Sequence, residues 1–431
     1  MNCQRFTTLF AALLLCATAA RADNWAQWRG PTGQGYSDDA KVPLKWGDDE
    51  NLLWKTKLPG GGNSSPVVWG DRVFLTAARA DGKERYVLCV RGGDGKVLWQ
   101  QTAAKDDAPE KLHAWNTYAT PSCTTDGKHV YAFFGTPGLF CYDVDGKFIW
   151  KQQFGVFTSR TGWGIGASPF LFEDLVIQNC DNDGAAGLRP EQKGLTPAPM
   201  ALIALDRATG KERWRAERNM GHGYSTPLLL TGPGGRKELV LNGPRGVWAY
   251  DPKSGAELWH CERPPDDEQS KFGEPLPVFT KDVLFALPGR TGTAQCVRLG
   301  GDGDVTKTRV LWSVSRKGSR DVASPILWDE LIYAADRDGM LSCFDLKTSA
   351  MVYKGKQRLG ATVTASPVAV RGKLLFVLES GETVVLEPGR EFKVAGRNAL
   401  RDGSAFRASP AVADGKLYLR SQTHLYCIGE K

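Results

Sequence analysis

The 431-residue chain has few of the residue groupings from which enzyme and metal sites are usually built. Its five histidines stand singly at positions 113, 129, 222, 260 and 424, without a His-x-x-x-His or Cys-x-x-Cys spacing. Structural and catalytic zinc sites use such clustered ligands, so we do not expect zinc. No nucleophile and base can be paired either. The sequence therefore predicts no catalytic, cofactor-binding or metal-ligating residue.

Charge of one sign is not concentrated anywhere in the chain. The 55 Lys and Arg residues are scattered among 48 Asp and Glu residues, and the formal net charge is only +7. A nucleic-acid-binding surface usually shows clustered basic residues, often with stacking aromatics, and neither is present. We therefore expect no nucleic-acid partner.

Only the N-terminus carries a long apolar run. Arg5, the apolar residues 6–20 and the sequence Ala20-Arg21-Ala22 form the pattern of a secretory signal peptide, which predicts export to the periplasm or beyond. Lipid attachment at Cys16 is disfavoured because the preceding Leu15 is bulky. No later run reaches the roughly 20 residues of a transmembrane helix.

Two landmarks recur along the chain. The stretch ALDRATGKERW (204–214) has close copies in AYDPKSGAELW (249–259), CVRGGDGKVLW (89–99), CYDVDGKFIW (141–150) and CFDLKTSAMVY (343–353). A motif present five times marks a structural repeat rather than one active site. A second motif, usually Ser-Pro before an apolar run, has a mean spacing of about 49 residues, which is typical of propellers and solenoids. Its prolines are residues 66, 121, 169, 227, 277, 325, 367 and 410.

Each repeat predicts four short β-strands, and eight repeats predict an all-β, eight-bladed β-propeller over residues 51–431. The last repeat has room for only three strands, while NLLWKTKL (51–58) is a spare strand before the first. We expect this strand to pair with the one containing HLYCIG and to complete the eighth blade. Residues 1–22 are then the signal peptide and residues 23–50 an N-terminal extension.

The repeated tryptophans have a structural interpretation, in which each ring is buried between blades and its N–H binds a neighbouring turn. They are Trp54, Trp99, Trp150, Trp214, Trp259 and Trp312. Five cysteines share one repeat position with Ala204 and Ala249, which indicates buried free thiols rather than disulfides. They are Cys89, Cys141, Cys296, Cys343 and Cys427.

The pattern A-x-D-x-x-T-G-K-x-x-W resembles the tryptophan-docking motif of the pyrroloquinoline-quinone (PQQ) repeat, or quinoprotein-like, propeller superfamily. The resemblance covers essentially residues 50–431. The stretch NWAQWRGPTGQG also resembles the start of many exported bacterial propellers of this type. The superfamily includes quinone-dependent alcohol and sugar dehydrogenases and non-enzymatic, BamB-like envelope propellers of outer-membrane β-barrel assembly.

The resemblance implies two alternative functions. A dehydrogenase would be expected to have adjacent cysteines stacked on PQQ, a calcium ion held by Glu, Asn and Asp, and large inserted loops. This chain has no Cys-Cys pair and no such loops, and CDNDGAAG (180–187) is better interpreted as a polar turn than as a calcium loop. The favoured function is a non-catalytic, BamB-like binding or scaffold protein, with a PQQ-dependent dehydrogenase as the alternative.

Candidate binding residues precede the Ser-Pro motifs, which a propeller gathers at one mouth of its channel. Two interpretations stay open, in which these residues bind a ligand or peptide, or only fill the channel. The long segments 179–200 and 260–277 are further docking candidates for an envelope protein on a monomeric propeller. The mouth candidates are Asn63, Trp115, Asn116, Tyr118, Arg160, Trp163, His222, Tyr224, Glu274, Arg320, Asp321 and Arg407.

Overall fold

The computed structural model describes residues 24–264, 272–316 and 320–431, so the predicted signal peptide and part of segment 260–277 lie outside the described residues. Eight four-stranded antiparallel β-sheets form a ring, which confirms the predicted eight-bladed propeller. Two blades carry an extra short strand at one edge. Across the described ranges, no helix has the length and apolar character required to span a bilayer.

The strands follow one another blade by blade. Ahead of blade one lie β1 (Tyr36–Ser37) and β2 (Leu52–Lys57). Blades one to three consist of β3 (Val67–Trp69), β4 (Arg72–Ala78), β5 (Glu84–Arg91) and β6 (Val97–Lys105); β7 (Thr124–Thr125), β8 (His129–Phe133), β9 (Leu139–Asp143) and β10 (Phe148–Gln152); and β11 (Phe170–Phe172), β12 (Leu175–Asn179), β13 (Ala201–Asp206) and β14 (Glu212–Glu217).

Blades four and five share one irregular connection. They consist of β15 (Leu228–Thr231), β16 (Lys237–Gly243), β17 (Gly246–Tyr250) and β18 (Glu257–Glu262), and of β19 (Val278–Phe279), β20 (Val283–Ala286), β21 (Gly292–Arg298) and β23 (Val310–Arg316). Between β21 and β23 the chain forms β22 (Gly303–Asp304), which pairs in parallel with β18, and the short helix α1 (Thr306–Arg309).

The remaining blades are regular apart from β1, which pairs in parallel with the inner strand β28 of blade seven. Short 3₁₀ turns occur at Gly184–Gly187, Pro190–Gln192 and Pro233–Gly235. Blades six to eight consist of β24 (Ile326–Trp328), β25 (Leu331–Ala335), β26 (Met340–Asp345) and β27 (Gln357–Arg358); β28 (Val368–Val370), β29 (Lys373–Val377), β30 (Glu382–Glu387) and β31 (Lys393–Ala399); and β32 (Ala411–Ala413), β33 (Lys416–Arg420) and β34 (His424–Ile428) with β2.

Blade eight contains strands from both ends of the propeller sequence. Strand β2 pairs antiparallel with β34, from Leu52 opposite Ile428 to Lys57 opposite His424. The predicted closing strand is therefore confirmed. A closed ring leaves only short edges exposed, and here that closure depends on six residues that lie far from their partners in sequence.

The tryptophans of the outer strands fasten neighbouring blades together. Five of the six indole N–H groups donate to a main-chain carbonyl in a turn of the next blade, as predicted. Trp259 instead donates to the buried carboxylate of Glu238 in its own blade, at 2.8 Å. The five contacts are Trp54 to Gly92 (3.0 Å), Trp99 to Val144 (2.9 Å), Trp150 to Arg207 (3.0 Å), Trp214 to Pro252 (3.2 Å) and Trp312 to Leu346 (2.9 Å).

Two structural constraints require glycine in the T-G-K type turn. Gly210 has φ +71°, a left-handed conformation that side chains disfavour. A Cβ atom at Gly210 would also lie 2.7 Å from the ring of Trp150. Equivalent close approaches are those of Gly95 to Trp54, Gly146 to Trp99 and Gly255 to Trp214.

The cysteine position of the repeat lies directly opposite the tryptophan in the adjacent strand. Cys89 pairs with Trp99 and Ala204 pairs with Trp214, and a β-bulge follows each pair. A small residue is needed there because the indole occupies the space beside it. All eight cysteines in the described residues are buried and free, which confirms the interpretation as thiols.

A ring of hydroxyl groups links the inner strands. The residue before the proline donates its N–H to a side-chain oxygen of the next blade at 2.8–3.0 Å. We call this set the hydroxyl ring; only Leu276 lacks a hydroxyl at the position. Its members are Ser65, Ser122, Ser168, Thr226, Ser324, Ser366 and Ser409.

The hydroxyl ring corrects one position of the repeat. Sequence spacing assigned Pro121 to the second motif, but Ser122 supplies the ring hydroxyl of blade two. Strand β7 begins immediately after Cys123, as the other inner strands begin immediately after proline. Cys123 therefore takes the place of proline in this blade, and Thr120-Pro121 precedes the true register by two residues.

Residues 24–37, which we call the N-terminal strap, cross one end of the channel. The strap contacts the inner strands of six blades, whose inward edges have no neighbouring strand of their own. These contacts join Trp25 to Val68, Ala26 to Thr125, Trp28 to Ser409, Arg29 to Pro325, Gln34 to Pro277 and Gly35 to Ala369.

Arg29 holds the strap together on the channel axis. Its side chain is 1% exposed and donates to the carbonyls of Gln34 (2.7 Å), Pro325 (3.0 Å) and Gly33 (3.2 Å). No carboxylate pairs with Arg29 within the described ranges, and burial lowers its pKa to about 10. Three carbonyl oxygens therefore replace part of the water that the guanidinium group would otherwise bind, while Nη1 has no partner among the described residues.

Deletion of residues 23–58 removes the strap and β2 together. We expect the ring to open at blade eight, so that chemical denaturation becomes less cooperative, with a smaller m-value. Deletion of residues 23–35 alone keeps β2 and is the matched control, for which we expect lower stability with cooperativity preserved. An unchanged unfolding transition in the longer deletion would contradict the closing role of β2.

The Gly210→Ala substitution tests the contact between turn and indole. We expect it to destabilise the protein by about 1–2 kcal/mol for the left-handed backbone and by about 1–3 kcal/mol more for displacement of Trp150. Gly372 has a similar φ of +68° with nothing within 4 Å, so Gly372→Ala carries only the backbone cost. If both variants lost the same stability in urea denaturation, the close contact between Gly210 and the Trp150 ring would add nothing to the cost of the substitution.

Candidate binding site at the channel mouth

A cavity of about 190 Å³ lies on the channel axis between the mouth and the strap. Trp28 of the strap and five serines of the hydroxyl ring line it, together with side chains from the loops of the mouth. Eight of the twelve predicted mouth residues lie on its wall: Asn63, Trp115, Asn116, Trp163, Tyr224, Glu274, Arg320 and Arg407.

Two other predicted residues are buried beside the cavity and serve the scaffold. Asp321 forms an ion pair with Arg316 at 2.6 Å, and both side chains are almost fully buried. His222 contacts the carbonyl of Gly164 at 2.6 Å through Nε2. Both residues precede a Ser-Pro motif or its equivalent in sequence, but neither side chain lines the cavity.

The last two predicted residues lie farther out. The Tyr118 hydroxyl donates to the carbonyl of Glu110 at 2.7 Å, and the ring packs under the guanidinium group of Arg85. Arg160 is exposed, and its main-chain N–H donates to Asp183 at 2.7 Å. Neither side chain lines the cavity.

The structure adds wall residues that sequence spacing did not indicate. Arg337 belongs to the turn between β25 and β26, and Thr364 lies two residues before the hydroxyl-ring serine of blade seven. Trp28 comes from the strap. The turn between the second and third strands of each blade also faces the mouth. Arg337 could therefore have been predicted from its place in such a turn.

Arginine and tryptophan side chains stack on each other around the mouth. The guanidinium carbon of Arg337 lies 3.0 Å from the ring centre of Trp115, and that of Arg407 lies 5.3 Å from it. Trp163 is contacted by Arg320 at 4.4 Å and by the ring of His113 at 3.9 Å. Such cation–π contacts hold the aromatic walls in fixed orientations.

Two of the three arginines on the cavity wall form ion pairs, and the third has no carboxylate partner among the described residues. Arg320 pairs with Glu274 at 3.0 Å, and Arg407 pairs with Glu379 at 3.1 Å. Arg337 has no carboxylate within ion-pair distance in the described part of the chain. Burial and the nearby Arg320 lower the pKa of Arg337. The cavity wall is therefore electropositive.

Several buried polar atoms of the wall have no hydrogen-bond partner within the protein. A buried polar group without a partner costs free energy, so unpaired atoms that face one cavity indicate where a ligand or water is needed. In the described residues these atoms include Asn63 Oδ1, Tyr224 Oη, Glu274 Oε2, Arg320 Nε and Arg337 Nε.

The carboxyl group of Glu274 on the cavity wall has a raised pKa. Its side chain is 10% exposed, and burial raises its pKa to about 7, although Arg320 opposes that change. Desolvation therefore outweighs the attraction of the neighbouring guanidinium group. The raised pKa favours the neutral form of Glu274, and a change in its protonation changes the charge of the cavity by one.

The long loop of blade three borders the mouth. Asp183 of this loop accepts from the N–H of Arg160 and lies 3.5 Å from His222. The adjacent Asp181 forms a fully buried pair with Arg218, with distances of 2.9 and 3.1 Å. Segment 179–200 and the mouth candidates thus form one surface, although the sequence analysis considered them as separate candidates.

The cavity does not fit a calcium-bound quinone. Among the residues that the structure describes, no three His, Cys, Asp or Glu side chains are grouped so that they could hold a metal ion. The carboxylate on the wall, that of Glu274, is already paired with Arg320. The volume of about 190 Å³ also lies below the roughly 300–1,000 Å³ of usual cofactor and small-molecule sites.

Comparison with known families assigns the chain. A family model described as "Outer membrane protein assembly factor BamB" matches residues 44–153 and 83–355, which together exceed half of the chain. The chain belongs to this family. A curated BamB from Burkholderia pseudomallei (strain K96243) is 22% identical over 388 residues, covering 79% of this chain and 88% of the relative.

Solved structures show the same fold at low sequence identity. BamB from Moraxella catarrhalis aligns with a TM-score of 0.61 and 15% identity, covering 88% of this chain and 97% of that one. Quinohemoprotein alcohol dehydrogenase from Comamonas testosteroni aligns with a TM-score of 0.65 and 12% identity, covering 96% and 82%. Since both BamB and a dehydrogenase share the fold, fold similarity does not assign an activity.

The raised pKa of Glu274 predicts a pH-dependent stability. Its favourable contribution is fully present below about pH 4.5 and is lost as the pH rises through about 7, because the buried charged form is disfavoured. We expect Glu274→Gln to gain at most roughly 3 kcal/mol relative to the wild type between pH 4.5 and 7.5. Urea denaturation measures this difference. The exposed Glu391→Gln is the control, and the same pH dependence in both variants would contradict the assignment.

Proposed function

We propose that the protein is a non-catalytic binding protein of the cell envelope that engages a protein partner through its channel mouth. The observation that carries this proposal is the wall of the cavity, where aromatic and arginine side chains are held rigid while polar atoms stay unpaired. Aromatic and arginine residues dominate the energetics of protein interfaces. The proposal includes export, which the N-terminal pattern of residues 1–22 predicts.

The mouth offers a continuous surface for such a partner. Trp115 and Trp163 stand on the wall of one cavity, and the 179–200 loop extends the same face outward. A typical stable interface buries about 800 Å² on each partner, which one face of a propeller of this size accommodates. Family membership supports a role in outer-membrane protein assembly, because the relatives bear that name.

A quinone-dependent dehydrogenase is the second candidate function. The structural similarity to quinohemoprotein alcohol dehydrogenase favours it at the level of the fold. The small cavity and the lack of a grouped acidic donor set within the described residues argue against it. If the purified protein reduced an artificial electron acceptor with an alcohol or sugar in the presence of PQQ and calcium, the dehydrogenase would replace our proposal.

The combined substitution of Trp115, Trp163 and Arg320 by Ala tests the mouth. We expect at least a hundredfold weaker capture of the bound envelope protein, because three rigid anchors of one surface are removed. Site-specific photo-crosslinking from position 160, at the exposed rim, identifies the partner in envelope extracts. Quantitative pull-down of that partner then measures the loss.

The matched control replaces three exposed apolar residues on the outer perimeter, Phe148, Leu311 and Met351, by Ala. We expect this variant to capture the partner as the wild type does. Melting temperatures of both variants show whether the propeller is intact. Equal capture by the mouth variant and the wild type, with both folded, would falsify the proposed use of the mouth.

A further inference from the structure

The axial cavity ends blindly at the strap. Trp28 lies at its floor and donates its N–H to Ser409 of the hydroxyl ring at 3.1 Å. A segment that enters from the mouth must therefore stop inside the channel rather than pass through. The volume of about 190 Å³ admits the end of a chain more readily than a complete small-molecule ligand.

Arg337 places an uncompensated cation on the cavity wall. The other two arginines of the wall already have carboxylate partners, whereas Arg337 has none in the described ranges. The neighbouring Asp338 is exposed, and it raises the pKa of Arg337 through its negative charge without an ion-pair contact. The Nε atom of Arg337 is buried without a partner, and the guanidinium carbon lies 3.0 Å from the ring centre of Trp115. A planar guanidinium of this kind binds a carboxylate through two parallel hydrogen bonds.

The hydroxyl ring adds further donors at the floor. Each ring oxygen accepts an N–H from the preceding blade, so its O–H hydrogen remains free to donate toward another group. For the serines that line the cavity, no side-chain hydrogen bond within the described residues uses that hydrogen. They are Ser65, Ser122, Ser168, Ser366 and Ser409.

The upper wall is apolar and aromatic. Trp115 and Trp163 bound it, with Ile165 and Val322 between the polar groups. The cavity thus combines free donors at its floor with an unpaired cation and apolar surface on the wall above them. One residue with an apolar side chain and a free α-carboxylate matches both parts. Capture of a terminal carboxylate is a known mode of peptide recognition.

We infer that the axial cavity binds the C-terminal residue of a partner polypeptide, with its carboxylate at Arg337 and the serine hydroxyls. This inference rests on the proposed function, because it names the part of the partner that enters the mouth. An acidic side chain carries the same chemical group. A terminus is favoured because the cavity is blind and narrow.

Three fluorescent peptides test the inference against the full mature protein by anisotropy. The first is GSGSF with a free C-terminal carboxylate, the second is GSGSF with a C-terminal amide, and the third is GSESG with a C-terminal amide. We expect the first to bind at least tenfold more tightly than either amide. Arg337→Gln should abolish that preference, and Arg337→Lys should keep part of it. Arg213→Gln, at the exposed outer strand of blade three, should change nothing.

Equal binding of acid and amide, or no binding of any peptide up to millimolar concentration, would overturn the inference. Tightest binding of GSESG amide would also overturn it, since the occupant would then be an acidic side chain. These failures differ from failure of the proposed function. If partner capture still depends on Trp115, Trp163 and Arg320, the mouth is used but the terminus is not its ligand.

Discussion

The ring depends on one repeated contact, the indole of an outer strand packed over a turn of the next blade, and in four of the five such contacts that turn contains a glycine. The contact joins a donor N–H to a turn carbonyl and leaves no room for a side chain on the glycine. The exception shows what the contact requires. In the blade that follows Trp259, β22 and α1 replace the T-G-K type turn between β21 and β23. The indole of Trp259 binds Glu238 instead, which also pairs with Arg236.

Because this outer fastening and the hydroxyl ring both fix the blades, the mouth loops project from an immobile base. Their arginines can then stack on tryptophans without a large loss of conformational freedom on binding. The same ring that holds the blades also presents its spare hydroxyl hydrogens to the axis. The blades and the cavity are therefore two consequences of one set of inner-strand serines.

Local patterns predicted most of the fold. The eight repeats, the closing strand with Trp54 and the small residue opposite each indole all follow from short motifs that recur. The register of blade two was wrong because Thr120-Pro121 imitates the motif two residues early. The strap was not predicted, since NWAQWRGPTGQG has no strand or helix periodicity and every partner of Arg29 outside the strap is distant in sequence.

The binding wall was only partly predictable for a different reason. Proximity to a Ser-Pro motif places a residue near the mouth but does not determine its direction. Asp321 and His222 turn into the scaffold because Arg316 and Gly164 lie there to bind them. Arg337 comes from another turn, and its unpaired state depends on which carboxylates its neighbours already hold. That balance is a property of four blades together.

The strap and β2 also impose an order on folding. Both come early in the chain, yet their partners include Ser409 and residues 424–428 near its end. Contacts of such sequence separation form slowly, because a long loop must close before they yield any stabilisation. Blades one to seven can assemble along the chain as they become available, but the channel floor and the last blade must wait for the final residues. Opening of the ring must break these same contacts, so we expect closure to slow unfolding as well as the completion of folding.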